Sequence, residues 1–293
     1  MATRSVRVDM IARIEGESGL DLQVRDGRVT SAKLTIFEPP RLFEALLRGR
    51  GFAEVPDITA RICGICPIAY QMSSVQAMEN AFGVTVGGQL RALRRLIYCG
   101  EWIESLTLHV YLLHAPDFLG YTGFVEMARD HPELAEQGLA LEKAGNAIVT
   151  VVGGREIHPV NLRVGGFYRT PARVQLRRAL LDQLERAREL ALATVRFTAG
   201  LSFPEVDWEP ELMALREPGR YPIDLGRIIT DAGLDIAPAQ FAAHVVEEHV
   251  EHSNALHARL IERGTYLTGP MARFNTSLSE LSPVARDLDM ASS

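Results

Sequence analysis

Cys63 and Cys66 stand two residues apart in the stretch Arg61-Ile62-Cys63-Gly64-Ile65-Cys66 and are two of the three cysteines in the chain. That spacing lets both sulfurs reach one metal ion, and Gly64 between them is expected to give the turn its flexibility. Pro67 follows directly, and no breaker interrupts residues 68–82 (IAYQMSSVQAMENAF). Proline is favoured in the first turn of a helix, so the sequence predicts Cys66 at a helix N-terminus, where exposed amides and the helix dipole favour thiolate over thiol. By itself the pair leaves three readings open: half of a structural zinc site, a redox dithiol, or a spacing without function. Zinc normally takes four protein ligands, and no second C-x-x-C completes them. His244, His249, His252 and His257 fall in a stretch that reads as a solvated acidic helix. A thioredoxin-type dithiol is disfavoured because no aromatic strand end precedes the pair.

The elements that must position this turn follow from hydrophobic periodicity. Residues 6–11, 20–25 and 29–37 read as strands with Arg25-Asp26-Gly27-Arg28 as a hairpin turn, which predicts a small N-terminal antiparallel sheet. Pro39 and Pro40 open a short helix bearing Leu42, Phe43, Leu46 and Leu47, and Glu44 within it reads in isolation as a solvated carboxylate. No proline intervenes between Gln89 and His114, and Leu93, Leu96, Ile97, Ile103, Leu106, Val110 and Leu113 suit one long helix with a broad buried face. Pro116 ends it. His109, His114 and Asp117 lie at that end, where histidines are more often core or cap residues than ligands.

A further helix is expected over residues 132–152, then a glycine-rich basic loop over 153–169 that lacks the pattern of a phosphate cradle. Thr170 and Pro171 are expected to start a helix whose apolar face is Leu176, Leu180, Leu184, Ala187, Ala191 and Val195. Residues 201–236 read as loop with short strands, 237–263 as helix, and the remainder as loop and helix start. The expected fold is α+β and mostly helical, a small antiparallel sheet followed by a bundle of long helices. Three parts are expected: 1–38, a helical core at 39–200 holding the cysteines, and an α+β segment at 201–293 that reads as incomplete at its C-terminal end.

Composition narrows the function classes. A chain of 293 residues with 47% hydrophobic content can bury a sizeable core. A net charge of -6 argues against nucleic-acid binding, which needs a basic face. Three cysteines make no disulfide framework, so Cys99 reads as a buried thiol. With no apolar leader and no long apolar run, the expectation is a cytoplasmic protein without a membrane span.

The stretch RICGICPIAYQMSSVQAME resembles the N-terminal cysteine motif of nickel-iron hydrogenase large subunits, in particular the cytosolic NAD(P)-linked bidirectional type that includes the sulfhydrogenase alpha subunit. ARIEGES, EPPRLFEALLRGR, HVYLLHAPDFLGY, GGREIHPVNLRVGGFYR and YLTGPMARFN resemble the same family in the same order and span most of the chain. The resemblance implies a nickel ion held by four thiolates, two of them bridging to an iron that carries diatomic ligands. Cys63 would be a terminal nickel ligand and Cys66 a bridging one. Glu15 would relay the proton, from a buried position beside the metal. Glu44 would be a ligand of a structural Mg2+, Asp117 a nearby acid over the cluster, and Arg61 part of the cluster's protein wall. Tyr70 stands where many members have histidine, as in the cytosolic type.

The implied reaction is reversible oxidation of hydrogen to protons and electrons. Electrons would leave through an iron-sulfur small subunit and then through FAD-containing diaphorase subunits to NAD(P), with maturation proteins assembling the centre of a hetero-oligomer. The family's second C-x-x-C is absent from this sequence, which therefore reads as a fragment or as one part of a split subunit. A non-catalytic relative of the quinone-site subunit of respiratory complex I, and a simple metal-binding interaction module, are the alternatives. Retention of both Cys63 and Cys66 favours the hydrogenase.

Overall fold

The computed structural model describes residues 3–205, 208–281 and 283. The chain forms two compact units, one of Met1–Leu46 with Asp207–Leu281 and the other of Leu47–Val206. The first unit thus joins the N-terminal sheet to the segment after 207.

Strands β1 (Thr3–Val8), β2 (Ser18–Arg25) and β3 (Arg28–Ile36) make a three-stranded antiparallel sheet in that order. Asp26 and Gly27 both take positive φ in the tight turn, as a two-residue hairpin needs. A bulge at Gln23/Val24 shifts the register beside it. The helix α1 (Pro40–Leu47) begins at its expected proline.

The second unit is helical. Short α2 (Val55–Thr59) and a 3-10 turn, Ala60–Ile62, lead into the cysteine turn. The helix α3 (Pro67–Phe82) buries Ile68, Gln71, Met72, Val75 and Glu79, a single stripe at helical spacing, and Gly83 closes it in the left-handed conformation. The helix α4 (Gly88–Thr107) is followed by a π-helical turn, Leu108–His114, and by α5 (Ala115–Leu119). The single long helix expected to His114 is thus corrected. Pro116 has no N–H and its ring crowds the carbonyl four residues back, and the chain widens into the π register before it.

After α6 (Phe124–Asp130), the helix α7 (Pro132–Gly153) crosses α4 at very short range. A Cβ on Gly145 would lie 2.7 Å from the Gly100 carbonyl oxygen, and one on Gly100 would lie 2.9 Å from a Val149 methyl. The glycines therefore set the approach of the two helices. Strands β4 (Leu162–Arg163) and β5 (Gly166–Phe167) form a small hairpin inside the glycine-rich loop. The helix α8 spans Arg173–Ala199 with Ala172 as its cap and Gln175 returning to the Ala172 amide, so it starts after the expected Thr170-Pro171. Tyr111, Leu141, Ala144 and Ala187 form the core between the π turn, α7 and α8. The Tyr111 hydroxyl lies 2.8 Å from the Thr194 hydroxyl and accepts from the Gln137 amide at 2.6 Å.

The first unit resumes with β6 (Glu211–Arg216), β7 (Arg227–Thr230) and β8 (Asp235–Ile236). The expected helix over 237–263 is corrected: a 3-10 turn and a four-residue helix α9 (Phe241–His244) give way to an antiparallel pair, β9 (Val245–Glu248) and β10 (His257–Leu260). Val245 and Val246 favour extended backbone, and Val245 and Leu260 bury together with Met213. The four histidines of that stretch therefore do not share a helix face. Strand β11 (Tyr266–Leu267) pairs parallel to β6, giving a sheet ordered β11-β6-β7-β8, and α10 (Pro270–Thr276) packs Ala272 on Leu212 and Ala214. Leu212 and Ala214 face one side and Met213 the other, the period of two that a strand imposes. Asn254 donates to the carbonyls of Ile36 and Phe37, tying the N-terminal sheet to the β9–β10 hairpin.

Candidate metal-binding dithiol

Cys66 is the N-cap of α3 and Pro67 its first helical residue, the placement expected from the sequence. Cys63 is buried and extended at the end of the 3-10 turn, and Cys66 is half-buried. The Cys63 sulfur accepts the backbone N–H of Ile65 at 3.3 Å and of Cys66 at 3.2 Å, so the turn wraps around that sulfur. The two soft donors share one turn and suit a thiolate-loving metal such as nickel or iron. Among the described residues no three His, Cys, Asp or Glu side chains converge as a metal site.

Three features outside the motif hold the turn. The Glu101 carboxylate, on α4 and 3% exposed, accepts the amides of Ile68 at 2.6 Å and Ala69 at 3.1 Å. Burial pushes its carboxyl up to about 7, against the lowering pull of those two amides and with the help of the Glu104 charge. His158, held at positive φ, lies with Nδ1 2.7 Å from the carbonyl oxygen of Ala60, immediately upstream of the motif. Gln71 donates to the Pro159 carbonyl at 3.0 Å from inside the α3 stripe. Sequence reading missed all three, because each partner lies 32 to 98 positions away along the chain. The one available signal was GGREIHP, within the glycine-rich basic loop at 153–169.

The other expected site residues are distributed as follows. Arg61 is exposed on the 3-10 turn beside Cys63. Asp117 is exposed on α5, where its carbonyl accepts the Gly120 amide that ends the helix. His109 and His114 stack at 6.1 Å, His109 has Nδ1 on the Ser105 carbonyl, and with Phe118 and Phe203 they edge an apolar cavity of about 280 Å³. In the first unit, Glu15 lies in the β1–β2 connection, near Arg13 and Gly16, which take positive φ. It is exposed on this chain. Glu38 fixes that connection by accepting the Glu17 amide at 2.7 Å. Glu44 is exposed and ion-paired with Arg41, which also reaches Glu247 at 3.0 Å.

Comparison with known proteins fits this arrangement. Residues 41–137, which hold the dithiol, match the family model for nickel-dependent hydrogenase. Sulfhydrogenase 1 subunit alpha of Pyrococcus furiosus is 32% identical over 285 residues, covering 97% of this chain and 66% of its own. Sulfhydrogenase 2 subunit alpha of the same organism is 43% identical over 192 residues, covering 66% of this chain and 45% of its own. The chain thus spans between about half and two thirds of these relatives. A crystal structure of an NAD+-reducing [NiFe]-hydrogenase in the H2-reduced state superposes with a TM-score of 0.83 at 26% identity, covering 94% of this chain and 66% of that one. A Ni-Fe-Se hydrogenase of D. vulgaris Hildenborough shares the fold, with a TM-score of 0.77 at 22% identity. With the ordered motifs, the position of the cysteine turn and the fold in agreement, the chain belongs to the nickel-dependent hydrogenase large-subunit family.

Proposed function

We propose that this chain acts in the catalytic subunit of a nickel-iron hydrogenase that reversibly oxidises H2 to two protons and two electrons. The observation that carries the reading is the dithiol turn, with Cys63 and Cys66 as ligands at a helix N-terminus inside the segment that matches the family. In this reading Cys63 and Cys66 supply two of the thiolates that hold the centre. When bound, the nickel-iron centre supplies the redox chemistry that splits H2 into hydride and proton. The chain's own part is to present two sulfurs in fixed directions and to carry protons away. Glu15 is the proton carrier in this reading, an exposed carboxylate on this chain. Glu44 takes the Mg2+ position once released from Arg41. Asp117 and Arg61 supply a fixed negative and a fixed positive charge beside the centre.

Electrons pass to an iron-sulfur small subunit, then through flavin-bearing subunits to NAD(P), and maturation proteins insert the metals. No described helix is long and apolar enough to cross a membrane. The test is metal analysis and infrared spectroscopy of the complex purified through this chain, together with H2-dependent dye reduction. Nickel with bands from iron-bound diatomics supports the reading. A nickel-free complex that reduces no dye overturns it.

A further inference from the structure

We propose that Glu101 is the positioning residue of the cysteine turn: its carboxylate, reaching over from α4, caps α3 in place of Cys66 and so fixes the turn that carries both sulfurs. The amides of the turn can be followed one by one. Those of Ile65 and Cys66 go to the Cys63 sulfur, Pro67 has none, and those of Ile68 and Ala69 go to Glu101. A helix N-cap ordinarily turns its own side chain back onto the second or third helical amide. Cys66 makes no such bond, because Glu101 occupies those donors from 33 and 32 residues away. One element therefore fixes where α3 begins and which way both cysteines face.

Stability alone does not account for the choice of residue. A carboxylate that is 3% exposed pays a desolvation penalty that methionine of similar length avoids. The neighbours of Glu101 on its own helix, on α7 and on the loop after it make its charge harder still to keep, since Glu104 lies within electrostatic reach and Glu104 in turn feels Glu142 and Glu156. Retaining an acceptor there has a local purpose, the two amides at the start of the dithiol helix. The inference takes its purpose from the ligand reading of Cys63 and Cys66, but its geometry can be tested without nickel.

The experiment uses the 293-residue chain and three variants, E101M, E101D and E101Q. Site-resolved amide exchange at Ile68 and Ala69 is read beside the affinity for Cd2+ alone, by competition with a chelator. In E101M both amides are expected to exchange at least about tenfold faster and Cd2+ to bind about tenfold more weakly, the usual loss when an outer partner of a metal ligand is removed. E101M also strands the two amides and should lower the unfolding midpoint, so E101Q, which keeps an acceptor, is the variant that separates positioning from packing. E101Q retains an acceptor oxygen and should stay within about threefold of the parent in both readouts. Should E101M fail to fold, E101D carries the test, since its shorter side chain withdraws the oxygens and should shift both readouts in the same direction. Parent-like exchange and parent-like Cd2+ affinity in E101M, or in E101D where E101M does not fold, overturn the proposal. A parent chain that binds no Cd2+ counts against the ligand reading, while amide exchange still decides the role of Glu101.

Discussion

Glu79 on α3 and Arg94 on α4 meet in a two-pronged ion pair, with Arg94 Nη1 donating to Glu79 Oε2 at 2.7 Å and both side chains nearly sealed from solvent. Glu79 also accepts the Gly165 amide at 2.7 Å, and Arg94 donates to the Arg163 carbonyl at 3.3 Å, so one pair joins α3, α4 and the β4–β5 hairpin. With Glu101 at the other end of α3, the cysteine helix is fixed on α4 near both ends. R94M should destabilise the chain by about 3–5 kcal/mol, because it strands a buried carboxylate. Adding E79M should recover part of that loss. A double-mutant cycle in urea checks both, and an additive result would show that the pair is not coupled.

Replacing either motif sulfur should remove metal without removing the fold. C63S and C66S are each expected to lower nickel in the purified complex to below about one tenth of the parent, since serine is a poor ligand for soft metals. Far-UV circular dichroism should be unchanged. Full nickel content in C63S would exclude Cys63 as a ligand.

Stability should fall as pH rises towards 7. Burial pushes the carboxyls of both Glu101 and Glu104 up to about 7, the second aided by the charges of Glu142 and Glu156. The unfolded chain releases these protons near the ordinary value of 4.5, whereas the folded chain holds them to about 7. Their stabilising effect is therefore complete below 4.5 and is lost as pH rises through 7. For Glu101 the loss is on the order of 2–3 kcal/mol, and for the less deeply buried Glu104 it is smaller. Urea midpoints at pH 5 and pH 8 should differ in this direction, and E101Q should flatten the profile. A parent profile that rises over that interval would contradict the assignment.

The α4–α7 crossing should tolerate no added carbon. G145A should cost about 1–3 kcal/mol, even though alanine is the better helix former by about 1 kcal/mol, because its Cβ would press on backbone atoms that cannot rotate away. Nothing lies within 4 Å of a Cβ built on Gly64, so G64A should stay within about 0.5 kcal/mol of the parent. Thermal midpoints of the two variants decide the point.

Local chemistry carried much of the first reading. The Asp26-Gly27 turn, the start of α3 at Pro67 and its end at Gly83, and the span of α7 depend on residues that act on their own neighbours. The misreading of 237–263 has a different cause, partners distant in sequence. Residues 245–248 and 257–260 satisfy a helical pattern in isolation, yet they pair with each other because Val245 and Leu260 find a common core against Met213.

The same division holds at the candidate site. Residue types and spacing along 61–67 determined that two sulfurs stand at a helix N-terminus, because a C-x-x-C followed by proline encodes that geometry within one turn. Only the tertiary structure decided what holds them there. Glu101, His158 and Gln71 reach the turn through packing, and a buried hydrogen bond between distant residues leaves no periodic trace in a sequence.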